Sequence, residues 1–110
     1  MMSIKTFREL ALVLPGTVAL PHFEKTSFRV NKKIFATLDI QKSLACLKLS
    51  LVDQNVFSGI SKSAIFPVPN KWGLLGWTNV SLKRVRKNII LDALTTAYYG
   101  AASGKSNKKK

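Results

Sequence analysis

Few side chains in this 110-residue chain are equipped for covalent or acid–base chemistry, and they lie far apart. The one histidine, His22, sits between Pro21 and Phe23. A general base must reach the proton it abstracts and is usually oriented by a second group, and no neighbouring residue identifies either partner. His22 therefore reads as a structural or surface residue. The one cysteine, Cys46, lies in an apolar stretch with Lys48 two residues on, and no base accompanies it. A thiol is a nucleophile only as the thiolate, so Cys46 reads as a small buried side chain. A single cysteine also excludes an internal disulfide and a zinc site of four cysteines. Glu9, Glu24, Asp39, Asp53 and Asp92 are the only carboxylates, too scattered to suggest a site for a hard cation. No Walker-type phosphate loop, dinucleotide fingerprint, paired metal-binding histidines or nucleophile elbow occurs. The expectation is a non-catalytic protein with no metal and no cofactor.

Positive charge is what the chain has in abundance. Its 18 Lys and Arg against 5 acids give a formal net charge of +13, and an anionic partner is the natural inference. Lys105, Lys108, Lys109 and Lys110 form a basic tail, expected to be disordered over residues 104–110; subtracting these four lysines from +13 still leaves +9. Residues 1–103 are expected to form one domain. Within it, Lys25, Arg29, Lys32 and Lys33 cluster around a hairpin whose tip can lay cations against phosphates. Lys83, Arg84, Arg86 and Lys87 open the last helix, where the helix dipole already places partial positive charge, so a bound anion would relieve the repulsion. Trp72 and Trp77 flank a glycine-bounded loop with Lys71, a combination suited to stacking on bases or entering a groove, with Trp72 the better exposed candidate. Trp77 begins a strand and reads as core.

The elements that must position these residues follow from caps and periodicity. Ser3 and Thr6 can each cap a first helix, which Pro15-Gly16 ends near Leu14. Pro21 extends the connection. Three antiparallel strands are expected from alternating and β-branched residues over Thr26–Val30, Ile34–Leu38 and Leu44–Leu49. A two-residue turn at Asn31-Lys32 pairs Phe28 with Phe35 and sets Arg29 beside Ile34 on the other face; a three-residue turn would exchange the faces. Ser50 caps a short helix ending near Gly59. A short strand, Ala64–Phe66, is followed by an irregular loop over Pro67–Gly73 and a strand from Trp77 to Val80. A long helix runs from about Lys83 to Tyr99, with Val85, Ile89, Ala93, Leu94, Ala97 and Tyr98 on its apolar stripe and Gly100 as its stop. The fold class is α+β: a two-layer sandwich, with an antiparallel sheet covered on one face by the N- and C-terminal helices and its other face available.

The strings Leu14-Pro15-Gly16, Phe28-Arg29-Val30-Asn31-Lys32-Lys33-Ile34-Phe35-Ala36 and Lys71-Trp72-Gly73-Leu74-Leu75-Gly76-Trp77, in this order, resemble the MmcQ/YjbR-like family over residues 3 to 100. That resemblance implies a frataxin-like (CyaY-like) fold and double-wing DNA binding. Frataxin-like folds also suggest iron handling, which the scarcity of carboxylates argues against.

The leading functional expectation is a nucleic-acid-binding module, with DNA favoured by the resemblance, gripping phosphates through the basic hairpin and the start of the last helix. It predicts steep salt dependence. The alternative is a protein-interaction or small-anion-binding module, using the exposed sheet face or the Trp72 loop to meet an acidic protein or metabolite. Membrane-surface binding through the lysines is a third reading, weakened by the lack of an exposed, strongly amphipathic helix. The apolar run Leu10 to Leu14 is far short of the roughly 20 residues of a membrane span, so no stable membrane association is expected. A cytoplasmic monomer is the expectation.

Overall fold

The computed structural model describes residues 2–103; the lysine tail, and the disorder expected of it, lie outside the described residues. The elements follow in the order α1 (Ile4–Val13), β1 (Val18–His22), β2 (Lys25–Val30), β3 (Lys33–Asp39), β4 (Leu44–Lys48), α2 (Leu51–Ile60), β5 (Ile65–Pro67), α3 (Lys71–Leu74), β6 (Trp77–Ser81) and α4 (Lys87–Ala102). The strands form one antiparallel sheet ordered β1-β2-β3-β4-β6-β5. Because β4 and β5 both run antiparallel to β6, they are parallel to each other, and α2 makes the crossover between them.

Local chemistry sets the element ends. Ser3 Oγ accepts from the Thr6 amide at the start of α1, and Ser50 Oγ accepts from the Asp53 amide at the start of α2. Asn31 and Lys32, with φ of 52° and 68°, make the two-residue turn joining β2 and β3. Arg29 faces Ile34 as the sequence predicts, but Phe28 pairs with Ala36 because the register shifts between Phe28 and Arg29. The shift makes Phe35 an extra, bulged residue, and both Phe35 and Ala36 are fully buried.

The helices gather on one side. Phe7 of α1 meets Phe28 edge-on at 5.8 Å between ring centroids, and Tyr98 of α4 meets Phe35 at 5.6 Å. The Met2 amide donates to Leu82 O, and the Tyr98 hydroxyl donates to Pro15 O. These bonds tie the start of α1 to the approach to α4, and the end of α1 to the last turns of α4, so the two helices run the same way. Phe57 of α2 joins the same core.

Three elements depart from the sequence reading. Val18–His22 is a strand and not a connection; Pro21 is tolerated because β1 is an edge strand, paired on one side only. The loop after β5 contains a single helical turn, α3, which carries Lys71 and Trp72. Helix α4 begins at Lys87 and not near Lys83, since burial of Leu82 and Val85 holds that segment in a turn and leaves Arg86 extended as the N-cap residue. It also runs through Gly100 to Ala102, a glycine in a last turn costing only about 1 kcal/mol. No helix among the described residues is long and apolar enough to cross a membrane.

Candidate functional site

With the helices on one face, strand alternation delivers the other face as a defined set of side chains. Ala36, Leu47, Val80 and Ile65 point into the core, so their neighbours Thr37, Cys46, Asn79 and Phe66 point away from it. On that open face lies a groove of about 470 Å³. One end is apolar and aromatic, lined by Ile34, Val68, Trp72 and Trp77; the middle is a row of Thr37, Cys46 and Asn79; the far end carries His22, Lys25, Asp39, Lys42 and Leu44.

The aromatic end is held by backbone contacts that only glycine permits. A Cβ on Gly73 would collide with the Val68 carbonyl, and one on Gly76, whose φ is +105°, would collide with the Leu49 carbonyl. Buried Gln54 donates from Nε2 to Gly73 O at 3.0 Å and to Thr78 Oγ1 at 3.1 Å, fixing α2 to the same segment. Asn70 Oδ1 accepts from the Trp72 amide at 2.8 Å. Trp72 is thereby presented half exposed (50%), with Lys71 Nζ 5.8 Å from its ring centroid.

Cys46 and Trp77 both correct the sequence reading. Cys46 is half-buried on the open face between Thr37 and Asn79, not in the core. Burial nonetheless pushes its pKa from 9.0 up to about 11, against the opposing pull of the Lys25 charge and a hydrogen bond involving the Thr78 backbone. The thiol is neutral at ordinary pH and serves as a small, soft part of the groove floor. Trp77 pairs with Lys48 and faces the groove, because Thr78 and Val80 take the core positions of β6.

The cationic end extends beyond the sheet. A second depression of about 460 Å³ shares His22, Lys25, Asp39 and Lys42, and has at its edge Phe23, which is 94% exposed. Asp39 Oδ1 accepts from the Lys42 amide, so the one carboxylate of the groove also closes the turn between β3 and β4. The Leu82 amide donates to Ser43 O at 2.9 Å, which brings Lys83 and Arg84 to this end of the molecule.

The two basic clusters read from the sequence do not form one surface. The hairpin tip, with exposed Lys32 and Lys33, is joined to the end of α4 by a hydrogen bond from Asn31 Nδ2 to Ala102 O. Lys83, Arg84, Arg86 and Lys87 are exposed at the beginning of α4, a helix of 16 residues. At 1.5 Å per residue, about 24 Å of helix separates the clusters. Lys25 and Trp72 line the same groove, with Lys71 against Trp72. Arg29 lies on the open face, where its Nε donates to Ser27 Oγ at 3.0 Å. Sequence reasoning missed His22, Lys42, Trp77, Thr37 and Asn79 as groove residues. Strand alternation was the available signal for Thr37, Trp77 and Asn79, and it needed the correct register. Among the described residues, no group of three or more His, Cys, Asp or Glu is placed to hold a metal ion.

No protein-family model matches the chain, and no curated protein matches it in sequence. Among solved structures, the crystal structure of Deinococcus radiodurans protein DR2400, which carries the family-model domain DUF419, is similar with a TM-score of 0.79 at 21% identity. The match covers 99% of this chain and 84% of that one. The chain therefore shares the fold of a DUF419-domain protein.

Proposed function

We propose that this protein is a non-catalytic nucleic-acid-binding module, with DNA as its favoured ligand, and that it meets the ligand with the open face of its sheet and the cations bordering it. The observation that carries the reading is the groove itself, open among the described residues, which has tryptophans at one end and Lys25 and Lys42 at the other. Five carboxylates can neutralise only a minority of 18 cations, so a polyanion complements the chain's charge. Lys83 and Arg84 extend the phosphate-binding end, while Lys32 and Lys33 form a separate contact at the hairpin tip. The choice of DNA rests on the MmcQ/YjbR-like strings, a family to which DUF419 is related. A cytoplasmic monomer without stable membrane association belongs to the same reading.

The test is fluorescence anisotropy of labelled DNA across a salt series, using the full chain and a full-length variant with Lys105, Lys108, Lys109 and Lys110 replaced by Ala. Retained, steeply salt-dependent binding by the variant, reduced by Lys25→Ala and Lys42→Ala, supports the reading. Binding that disappears with the tail lysines defeats it.

A second reading, a small-anion or acidic-protein site, is favoured by the groove's volume, which falls within the roughly 300–1,000 Å³ of small-molecule sites. It predicts saturable binding of a small anion that salt weakens little.

A further inference from the structure

Resting on the nucleic-acid reading, we infer that the groove takes an unpaired strand, with a base against Trp72 and the backbone leading toward Lys25 and Lys42. In a duplex the faces of the bases are covered by their neighbours, so an aromatic side chain in a concave site cannot stack on them unless a base leaves the helix. The aromatic end of this groove offers two indoles. Trp77 is half-buried at the groove wall, and Trp72 is half exposed with Lys71 near its ring. Outward-facing tryptophan surface held by two obligatory glycines is a rigid stacking platform.

The rest of the groove suits a polynucleotide. Asn79 and Thr37 place hydrogen-bonding groups in the middle row, where the edge of a base can be met. From the Trp77 row to the Ser81 row, four residues along β6, the sheet spans about 13 Å at ~3.3 Å per residue. Lys25 and Lys42 lie at the end of that path, beside Asp39 whose Oδ1 accepts from the Lys42 amide, and the tryptophans lie at its beginning with Lys71 beside Trp72, so one strand can meet both. The neutral Cys46 thiol between them adds no negative charge to repel phosphate.

The test compares the full chain and its Trp72→Ala and Trp72→Phe variants against 12-nucleotide single-stranded DNA, the same sequence as RNA, and the matching DNA duplex, at fixed salt. Trp72 is half exposed, so thermal unfolding is expected to report an intact fold for both variants. The expected result is tighter binding of single strands than of duplex, accompanied by quenching of tryptophan emission. Trp72→Ala should weaken single-strand binding by about 5- to 150-fold, leave duplex binding within about twofold, and be largely rescued in Trp72→Phe. The RNA and DNA arms distinguish the source of the strand, and loss on Trp72→Ala with either supports the inference. Preference for duplex, or single-strand binding indifferent to Trp72→Ala, overturns the inference while leaving the nucleic-acid reading standing. Failure to bind any of the three defeats both.

Discussion

Along β4 and β6, adjacent residues on the same strands meet opposite fates. Ala45, Leu47, Thr78 and Val80 are fully buried beneath the helices, whereas Cys46 and Asn79, one position away, line a groove open to solvent. The two faces are built by one backbone and one hydrogen-bond ladder, so the ladder cannot be what separates their roles. The core face is held by apolar burial and ring contacts such as Phe7 on Phe28. The open face has cations, amides and two tryptophans that burial alone does not account for. On the first face a substitution should act on stability, and on the second it should act on binding.

The comparison breaks most visibly on the core face. Phe28→Ala removes a fully buried ring and should cost about 3–5 kcal/mol, measured by denaturant unfolding. For the open face, Thr37→Ala should stay within about 1 kcal/mol in the same assay. A comparable loss at both positions would erase the distinction between the faces.

Gly76→Ala attacks the junction between them. It forces a side chain into a positive-φ position against the Leu49 carbonyl, and should cost about 1–3 kcal/mol while shifting the emission of the neighbouring Trp77. An unchanged melting curve and spectrum would show that the glycine is not what holds the tryptophan end.

The paired change Lys25→Ala and Lys42→Ala sharpens the comparison from the other side. Stability should move by no more than about 0.5 kcal/mol, while the slope of log affinity for single-stranded DNA against log salt falls by up to about 1.4, near 0.7 for each phosphate that is no longer neutralised. An unchanged slope would remove these lysines from the interface.

The smallest expected effect concerns Cys46. Its folded pKa of about 11 lies above the ordinary 9.0, so the fold retains the proton more tightly than the unfolded chain does. The resulting stabilisation is fully present below pH 9 and is lost as pH rises through about 11. Alkylation of the thiol should accordingly be slow at pH 8 and accelerate toward pH 11, and slow further in Lys25→Ala, which removes a charge that favours the thiolate. Fast alkylation at pH 8 would contradict the burial.

Much of this architecture was legible in the order of residues. Ser3, Pro15-Gly16 and Ser50 mark helix ends by capping and backbone geometry, which are local properties. Alternation in Thr26–Val30 and Ile34–Leu38 marked strands, and Asn31-Lys32 marked the turn between them. Pro21 concealed β1, because its lack of a donor excludes a central strand but not an edge one. The four cations near Lys83 looked like the opening of a helix, because periodicity cannot tell whether Leu82 and Val85 are drawn into the core before the helix begins.

The sequence by itself determined the types of the elements other than β1 and α3, the α+β class, the excess of cations and the pairing of Lys71 with Trp72. Tertiary structure alone decided which of those features share a surface. It placed Trp77 and Cys46 on the open face and joined Lys25 and Trp72 through a groove that also enlists His22 and Lys42. It also carried the hairpin lysines to the opposite end of the molecule from the start of α4. The physical reason is range: caps and turns act over about four residues, whereas a groove across five strands depends on register and on which face the helices cover, contacts made between residues distant in the chain.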